Sequence, residues 1–552
     1  MAVLGGLLGW LVAGRPTPAE TPVEVAAPPQ AAVQRLVHPR LRYRNAKLPV
    51  GLTPLEQEAD GQLVAHVAPK SFNGSGASSA SASRVIAFSA GRTFFSDTTP
   101  PSTEPGSTDS TTTPSDTTGS TGGTTTTAPV GPPIQISDVH TVSLAPFSAT
   151  IAWHTSEPVS SRIAYGFNQP SLWTAASTSS DHVAVLSGLA FSHSYNVWVT
   201  VHAADGRTAE SDYMLTTPAL SGPIQGSTGG GALLIDGQPI FPTMVFAQCT
   251  DGYDASMSVG IDLFMGDACS STSDALSHLD GRAFALSNAE DGAASGNGLV
   301  GSYLPDEWDT HLPGDLTTAQ AEGLVPDGSP APRFLTLTSH FFSGAAPLPQ
   351  GRAMYPALAQ VADVLGFDLY PLQNWCRYDD FGPVYDAQRE LVQLAAGKPT
   401  FQWIEARHMD CSDPTLGVTP QTVHAETWLA IAGGAHAIGY FPYSWTPDVG
   451  SQISQDRQEI DTLSAALLEA AIPSSSQNGL VKVGARDHNG AVYVIAVNSS
   501  REPATSTITV PELGNRTLIS LDGTQTVTAA NGSFTDNFGP LDVHIYIAAP
   551  QS

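Results

Sequence analysis

The chain has 552 residues, too many for one compact core, and at roughly 100–200 residues per domain it predicts three or four units. Its 51 acidic residues outnumber its 23 basic residues, which gives a formal net charge of −28. A field of this sign repels phosphate backbones and anionic lipid, so nucleic-acid binding and membrane insertion are excluded for the main body.

The first part of the chain differs in composition from a folded domain. Met1–Ala13 is an apolar run that is too short to cross a membrane and is similar to the apolar part of a secretion signal, so residues 1–30 are signal-like. Residues 31–96 show no sustained period and are predicted to be largely disordered. Residues 97–132 are almost entirely Thr, Ser, Pro, Gly and Asp and predict an extended linker.

Residues 133–218 change to short β-type runs separated by turn residues, a pattern typical of a β-sandwich. Ala149–Trp153 resembles strand B of a fibronectin type III domain with its core Trp. Leu189, followed six residues later by Tyr195, resembles the tyrosine corner of the same fold. The resemblance implies an N-terminal fibronectin type III β-sandwich that acts as a spacer or packing module.

Residues 223–475 alternate β-type runs with helical patterns, which argues for parallel βα units. Thr419 followed by Pro420 predicts a helix start, and Gly433 predicts its end. Helical patterns lie between several of the runs, and the third unit is weak because Asn288 to Gly298 is Gly-rich and shows no helix. Eight units in this length suit an α/β fold of the (β/α)₈ TIM-barrel type. The eight predicted strands are Phe241–Ala247, Ile261–Met265, Arg282–Leu286, Leu299–Leu304, Phe334–Thr338, Val364–Leu369, Thr400–Ile404 and Ala437–Tyr443.

Residues 476–552 return to β-type runs and predict a small C-terminal β-sandwich. The four cysteines allow three disulfide pairings, of which we favour Cys249–Cys269 and Cys376–Cys411 because each joins neighbouring barrel loops. Two disulfides would indicate an oxidising compartment, whereas the alternative is four buried thiols. No cysteine lies near histidines at zinc-ligand spacing, so neither a metal nor another cofactor is expected.

Catalytic groups of a TIM barrel lie at the carboxyl ends of its strands. The predicted fourth strand ends in Tyr303-Leu-Pro-Asp306-Glu307, and the seventh ends in Gln402-Trp-Ile-Glu405. Each apolar run therefore delivers a glutamate to the mouth of the barrel. Hydrolysis of a glycosidic bond with retention needs two carboxyl groups about 5–5.5 Å apart, one protonated and one ionised.

This arrangement resembles the clan A glycoside hydrolases, and the resemblance covers roughly residues 232–550. It implies that Glu307 is the acid/base, that Glu405 is the nucleophile, and that Tyr370 hydrogen-bonds the nucleophile. It also implies an aromatic platform at Tyr443 and Trp445. The chain departs from the clan at Asp306, where the clan usually has Asn.

Asp306, Trp308 and Asp368 complete the predicted substrate-binding set, and Asp306 can accept but not donate a hydrogen bond when ionised. The sequence therefore predicts a secreted or cell-surface retaining glycoside hydrolase that acts on an extracellular poly- or oligosaccharide. A non-catalytic carbohydrate-binding or adhesion protein, associated with a cell wall or surface, is the alternative. A third hypothesis is a different barrel hydrolase that uses Asp306 or Asp368. In structural terms alone, Glu405 could instead be an ion-pair partner of Arg407.

Overall fold

A computed structural model describes residues 131–221, 224–409 and 411–551, together with the short antiparallel strands β1 (Glu56–Gln57) and β2 (Leu63–Val64). The predicted signal-like segment, and nearly all of the predicted disordered region and linker, lie outside these residues. None of the helices in the described part of the chain is long and apolar enough to span a bilayer.

The first described unit is an antiparallel sheet of five strands that curls over its own core. Its strands are β3 (Ile136–Ala145), β4 (Ser148–Gly166), β5 (Leu172–Ser187), β6 (Ser194–His202) and β7 (Thr208–Thr216). The first half of β4 pairs with β3 and with the end of β5, and its second half pairs with the start of β5 and with β6. Register shifts interrupt the pairing of β4 with β5 between the two halves of β4. The two halves of this long strand therefore have different partner strands on their other edge.

The two residues that carried the fibronectin resemblance occupy the core of this sheet. Trp153 is buried and stacks on His182, with ring centroids 5.0 Å apart. The backbone N–H of Ala190 donates to the Tyr195 hydroxyl at 2.7 Å, which ties that Tyr to the chain just upstream as a tyrosine corner does. These contacts agree with the resemblance, and the assignment to fibronectin type III stays a prediction.

A three-stranded antiparallel sheet links this unit to the barrel, and its β9–β10 hairpin turns at Asp236-Gly237, where both residues have positive φ as such a turn requires. Its strands are β8 (Gly226–Gly229), β9 (Ala232–Ile235) and β10 (Gln238–Ile240).

Eight parallel strands then close into a barrel in sequence order, which confirms the predicted barrel. They are β11 (Thr243–Gln248), β12 (Leu263–Asp267), β13 (Phe284–Asn288), β14 (Leu299–Tyr303), β15 (Arg333–Thr338), β16 (Val364–Asp368), β17 (Thr400–Glu405) and β18 (Ala437–Phe441).

Seven helices follow barrel strands, and the third βα unit has only a 3₁₀ turn at Ala289–Asp291, as the sequence indicated. Thr419 caps the sixth helix through its hydroxyl, which accepts from the N–H of Thr422, and Gly434 closes it with φ of 109°. The helices are α1 (Tyr253–Ser258), α2 (Thr272–Leu279), α3 (Thr318–Glu322), α4 (Tyr355–Val361), α5 (Gly382–Ala395), α6 (Pro420–Gly433) and α7 (Pro447–Leu467).

Large rings fill the interior of the barrel on the β17 side. Phe401 and Trp403 pack edge to face at 5.8 Å, and the Trp403 indole N–H donates to the Thr336 hydroxyl at 3.1 Å. A Cβ on Gly439 of β18 would lie 2.1 Å from the Trp403 ring, so this position has room only for glycine. The interior is therefore a packed core, and chemistry is confined to its carboxyl-end mouth.

The C-terminal part contains two antiparallel sheets around a shared apolar core. One sheet has the order β20-β21-β26-β23-β24 and the other β19-β22-β25. The strands are β19 (Ser475–Ser476), β20 (Val481–His488), β21 (Ala491–Asn498), β22 (Ala504–Thr509), β23 (Thr517–Ser520), β24 (Thr526–Thr528), β25 (Ser533–Phe538) and β26 (Val543–Ala548).

Ser171 of the N-terminal sheet joins all three parts of the described chain. Its hydroxyl donates to the carbonyl of Thr462 on α7 at 2.9 Å, and its own carbonyl accepts from the Tyr493 hydroxyl on β21 at 2.6 Å. Next to it, a Cβ on Gly188 would lie 2.4 Å from the Cβ of Ala465, so the sheet approaches α7 at backbone distance.

Candidate functional site

The segment that leaves β14 carries the first predicted catalytic residue. Glu307 lies in the left-handed region with φ of 48° and ψ of 42°, which is unfavourable for a residue with a side chain. Its carbonyl accepts from the backbone N–H of Thr310 at 3.0 Å as the chain enters a 3₁₀ turn. Such strain persists only where the surroundings impose it, and it concentrates at functional sites.

Asp309 anchors the segment that follows Glu307. It is fully buried, and its carboxylate accepts from the backbone N–H of Thr338 at 3.1 Å, from the Thr338 hydroxyl at 2.5 Å and from the Tyr355 hydroxyl at 3.0 Å. The β14 exit is thereby attached to the end of β15 and to α4. Sequence reasoning missed Asp309, although a carboxylate two positions after a candidate catalytic Glu was a usable signal.

Three carboxyl groups meet at this side of the mouth: Asp306, Glu307 and Asp368. Burial, the charges of Glu307 and Asp306, and a hydrogen bond to Glu307 together raise the pKa of Asp368 well above its ordinary value. A hydrogen bond between two carboxyl groups requires one proton, and the raised pKa places it on Asp368. Asp368 therefore donates and Glu307 accepts.

Asp306 is the most accessible of the three carboxyl residues, whereas Glu307 and Asp368 are half-buried. Although its side chain reaches solvent, Asp306 is surrounded by protein, as expected at the floor of a cleft. Desolvation, with the charges of Glu307 and Asp309, raises the pKa of Asp306 to about 7. Near neutral pH this carboxyl is therefore partly protonated while remaining within reach of a ligand.

Glu405, at the end of β17, has a different environment. It is fully buried, and its two oxygens accept from the backbone N–H groups of Leu372 at 2.9 Å and Gln373 at 2.8 Å. Burial raises the pKa of Glu405 to about 7, although these hydrogen bonds and the neighbouring Glu426 partly offset that effect. The segment after β16 covers this carboxylate, so solvent does not reach it in this conformation.

A second buried carboxyl, Glu426 on α6, lies beside Glu405. Burial first, and then the charge of Glu405, raises the pKa of Glu426 well above its ordinary value. The ion pair with Arg407, which was the non-catalytic explanation for Glu405 in the sequence, is not present among the described residues. Instead, the half-buried Arg407 donates to the Ser444 hydroxyl at 2.7 Å.

The predicted aromatic residues divide between wall and mouth. Tyr370 is buried, stacks on Phe441 at 5.9 Å, and lies close enough to Asp368 and Glu405 that their charges raise its pKa. Trp308 belongs to the apolar core between barrel and helices. The other two predicted aromatic residues, Tyr443 and Trp445, are half-buried at the mouth of the barrel.

Two disulfides lie on the rim of the mouth, and both predicted pairings are confirmed. Cys249 and Cys269 join the loops after β11 and β12, with Cα atoms 5.1 Å apart. Cys376 and Cys411 join the loops after β16 and β17, with Cα atoms 5.4 Å apart. The second bridge therefore ties together the two loops that enclose Glu405.

In the described part of the chain, one group of side chains has the composition of a metal site, and it lies outside the mouth. It consists of His424 on α6 with Asp456 and Glu459 on α7. The catalytic candidates at the mouth are carboxyl groups without a histidine among them.

No protein-family model and no curated protein matches the chain. Its fold is similar to those of several solved structures. They include a candidate alpha-galactosidase from Bacteroides fragilis NCTC 9343, with 10% identity over 76% of this chain and 98% of that one and a TM-score of 0.37. Alpha-galactosidase I from Mortierella vinacea has 10% identity over 55% and 90% of the two chains and a TM-score of 0.35. A GH30 endoxylanase from Clostridium papyrosolvens C71 has 10% identity over 59% and 100% and a TM-score of 0.29. These neighbours are glycoside hydrolases, but with TM-scores below 0.5 none of the three assigns an activity to this chain.

Proposed function

We propose that the chain is a glycoside hydrolase whose reaction takes place at the carboxyl-end mouth of the barrel. The observation that carries this proposal is the set of three carboxyl groups around the β14 exit, in which the raised pKa values of Asp306 and Asp368 keep a proton beside Glu307 near neutral pH. Hydrolysis of a glycosidic bond needs both forms at once, one to protonate the leaving oxygen and one to act as base or nucleophile.

Glu307 is the ionised member in this scheme. It accepts the proton of Asp368, and its left-handed backbone fixes the direction of its side chain. Asp306 is the proton donor, because its pKa of about 7 keeps it partly protonated at neutral pH and it remains open to solvent. Tyr443, Trp445 and Arg407 offer apolar and hydrogen-bonding surface to a sugar on the β18 side of the mouth.

The pair suggested by the clan A resemblance, Glu307 with Glu405, is the alternative assignment within the same activity. It requires the segment around Leu372 and Gln373 to move, because this segment covers both oxygens of Glu405. In that arrangement Glu307 is the acid/base and Glu405 is the nucleophile, and the reaction retains the anomeric configuration. The two assignments differ in which glutamate forms a covalent bond to the sugar.

The test is labelling of the purified protein with a panel of activated fluoro-sugars, followed by peptide mass spectrometry. An adduct on Glu307 supports the assignment that pairs Glu307 with Asp306. An adduct on Glu405 establishes the alternative pair, Glu307 with Glu405. Hydrolysis of an unlabelled sugar panel without any adduct indicates inversion. The proposal fails if no sugar is turned over and the protein only binds glycans, which is the outcome expected of a carbohydrate-binding or adhesion protein.

The surroundings of the barrel support action outside the cell. Both disulfides of the described chain need an oxidising compartment to form. The Thr/Ser/Pro-rich stretch over 97–132 is of the kind that separates modules of secreted enzymes. We propose that 133–218 is a fibronectin type III domain, that 223–475 is the catalytic barrel and that 476–552 is a C-terminal β-sandwich.

A further inference from the structure

Three metal-ligating side chains converge between α6 and α7, on the outer face of the barrel. The His424 Nδ1 lies 2.6 Å from Oδ1 of Asp456 and 4.0 Å from Oε2 of Glu459. One candidate ligand atom of each residue lies within 4.8 Å of the others. Asp456 is fully buried, and the His424 and Glu459 side chains are each about one-fifth exposed, at 22% and 23%.

Two carboxylates, Asp456 and Glu459, lie beside the single imidazole of His424. Among the described residues, no Lys or Arg forms an ion pair with either of these two carboxylates. The third carboxylate nearby, Asp542, lies 4.0 Å from His544 and so has its own imidazole partner. Buried charge of one sign is costly unless a counter-charge is bound.

One further detail favours a bound cation. Oδ2 of Asp456 is buried and has no hydrogen-bond partner among the described residues, although its residue is fully enclosed. Oδ1 of the same carboxylate is partnered, since it lies 2.6 Å from the His424 Nδ1 and accepts from the Gln452 amide nitrogen at 3.0 Å.

We propose that His424, Asp456 and Glu459 bind one divalent transition-metal ion of the Zn²⁺ type. An imidazole nitrogen with carboxylate oxygens is a ligand set that Zn²⁺ favours. With an ion bound, rotation of the Gln452 amide would turn its oxygen toward the ion as a fourth ligand, in place of the hydrogen bond that its nitrogen donates to Asp456.

The geometry needs only small changes to reach a tetrahedral site. Bonds of about 2.0–2.2 Å place neighbouring ligand atoms roughly 3.3 Å apart. The 2.6 Å and 4.0 Å separations from the His424 Nδ1 must therefore change by roughly 0.7 Å each, within reach of side-chain rotation. The Trp428 indole N–H already donates to Glu459 at 3.0 Å, which orients this carboxylate as outer partners of metal ligands do.

The ion would be structural, because it would join two helices on the outer face of the barrel. The N-terminal turn of α6 also contacts the C-terminal sheets, since the Gln421 amide donates to the carbonyl of Pro540 at 2.7 Å. A metal at His424 would thus fix α6 and α7 where the barrel meets the C-terminal part. This site is independent of the glycosidase activity proposed above.

The experiment is titration of the EDTA-treated, dialysed full-length protein with ZnCl₂, followed by calorimetry and thermal unfolding. We expect one high-affinity Zn²⁺ per chain and a rise in Tm of at least about 2 °C at saturation. His424→Gln and Asp456→Asn should each weaken binding by at least about tenfold, because each removes one ligand or one charge. His154→Gln is the matched control, since His154 forms a 2.9 Å pair with Asp181 on the exposed sheet surface.

Absence of saturable Zn²⁺ binding to the wild-type protein would overturn the proposal, as would unchanged binding by both ligand variants. If the variants do not fold, X-ray absorption of the Zn²⁺-loaded wild type decides the question. One imidazole with oxygen ligands supports the site, and any other ligand set refutes it. Loss of zinc binding in Asp306→Asn alone would place the metal at the mouth and also refute the site.

Discussion

Two strand ends of this barrel look alike in sequence and differ in structure. β14 and β17 are both apolar strands that deliver a glutamate next to a tryptophan-containing stretch. Glu307 lies in a strained, half-open turn among carboxyl groups, whereas Glu405 is enclosed and held by two backbone N–H groups. A glutamate at a strand end thus reaches the active face, but the loop that follows the neighbouring strand decides whether a substrate can reach it.

The largest effect is expected from Glu307→Gln, which keeps the shape of the side chain and removes its charge. Turnover of the best sugar should fall by roughly 10²–10⁴-fold, as for loss of a general acid or base. The Tm should change little, because Glu307 is half-buried and the side-chain oxygen of Gln can still accept from Asp368. Steady-state kinetics beside thermal unfolding checks this, and full activity in the variant would exclude Glu307 from the chemistry.

Asp309→Asn tests whether the β14 exit is held by its buried anchor. One carboxylate oxygen that accepts from Thr338 or Tyr355 becomes an amide donor, so the left-handed turn at Glu307 loses support. We expect kcat to fall by about tenfold or more with a smaller change in KM, because the reacting carboxylate is displaced while the rest of the mouth is kept. Tyr355→Phe, which removes only one donor, should show a weaker form of the same change. Equal effects on kcat and on KM would argue against a positioning role.

Glu405→Ala tests the role of the enclosed glutamate at the end of β17. The backbone N–H groups of Leu372 and Gln373 would lose their acceptors, so the free energy of unfolding should fall by about 1–3 kcal/mol. Amide hydrogen exchange at these two residues should accelerate. Glu390→Ala is the control, because Glu390 accepts from the Ser343 N–H near the surface, where water can replace it. Unchanged stability in Glu405→Ala would mean that this carboxylate does not hold the segment around Leu372 and Gln373 in place.

The pH dependence of activity tests whether Asp306, on the β14 side of the mouth, is the proton donor. If Asp306 donates the proton, kcat/KM should decrease as pH rises through about 7, the pKa of that carboxyl. The residual activity of Asp306→Asn should lack this alkaline decrease. A pH profile of the variant that matches the wild type would assign the proton to another group.

The smallest expected effect is on how steeply the Tm depends on pH. The pKa of Glu405 is about 7 in the folded chain and 4.5 in its ordinary state, so the folded protein binds the extra proton between these values. Its contribution to stability is therefore present at low pH and is lost as pH rises from about 4.5 to about 7. The Tm of Glu405→Gln should depend less steeply on pH in this window than that of the wild type. Parallel curves would show that another group controls the slope.

The sequence was informative where periodicity and turn chemistry are local. Strand-helix alternation predicted all eight barrel strands, and the Thr419-Pro420 pair predicted the start of α6. Three strands of the C-terminal sheets, Ser475–Ser476, Thr526–Thr528 and Ser533–Phe538, were missed, because each carries few β-branched apolar residues.

The site was harder to predict because its character depends on contacts across the chain. Nothing near Glu405 in sequence indicates that Leu372 and Gln373 will enclose it. The proton on Asp368 likewise depends on Glu307, sixty-odd residues away in the chain and adjacent only in the folded barrel. The predicted set of eight residues remains a prediction as a catalytic or binding site.

The junction at Ser171 also has a mechanical meaning. Because this residue bonds both to α7 and to β21, the N-terminal sheet cannot swing relative to the barrel without breaking buried hydrogen bonds. A pull along the chain that reaches Gly131 would thus be carried by three joined units and not by a hinge. The orientation of the mouth relative to Gly131 is therefore set by the fold.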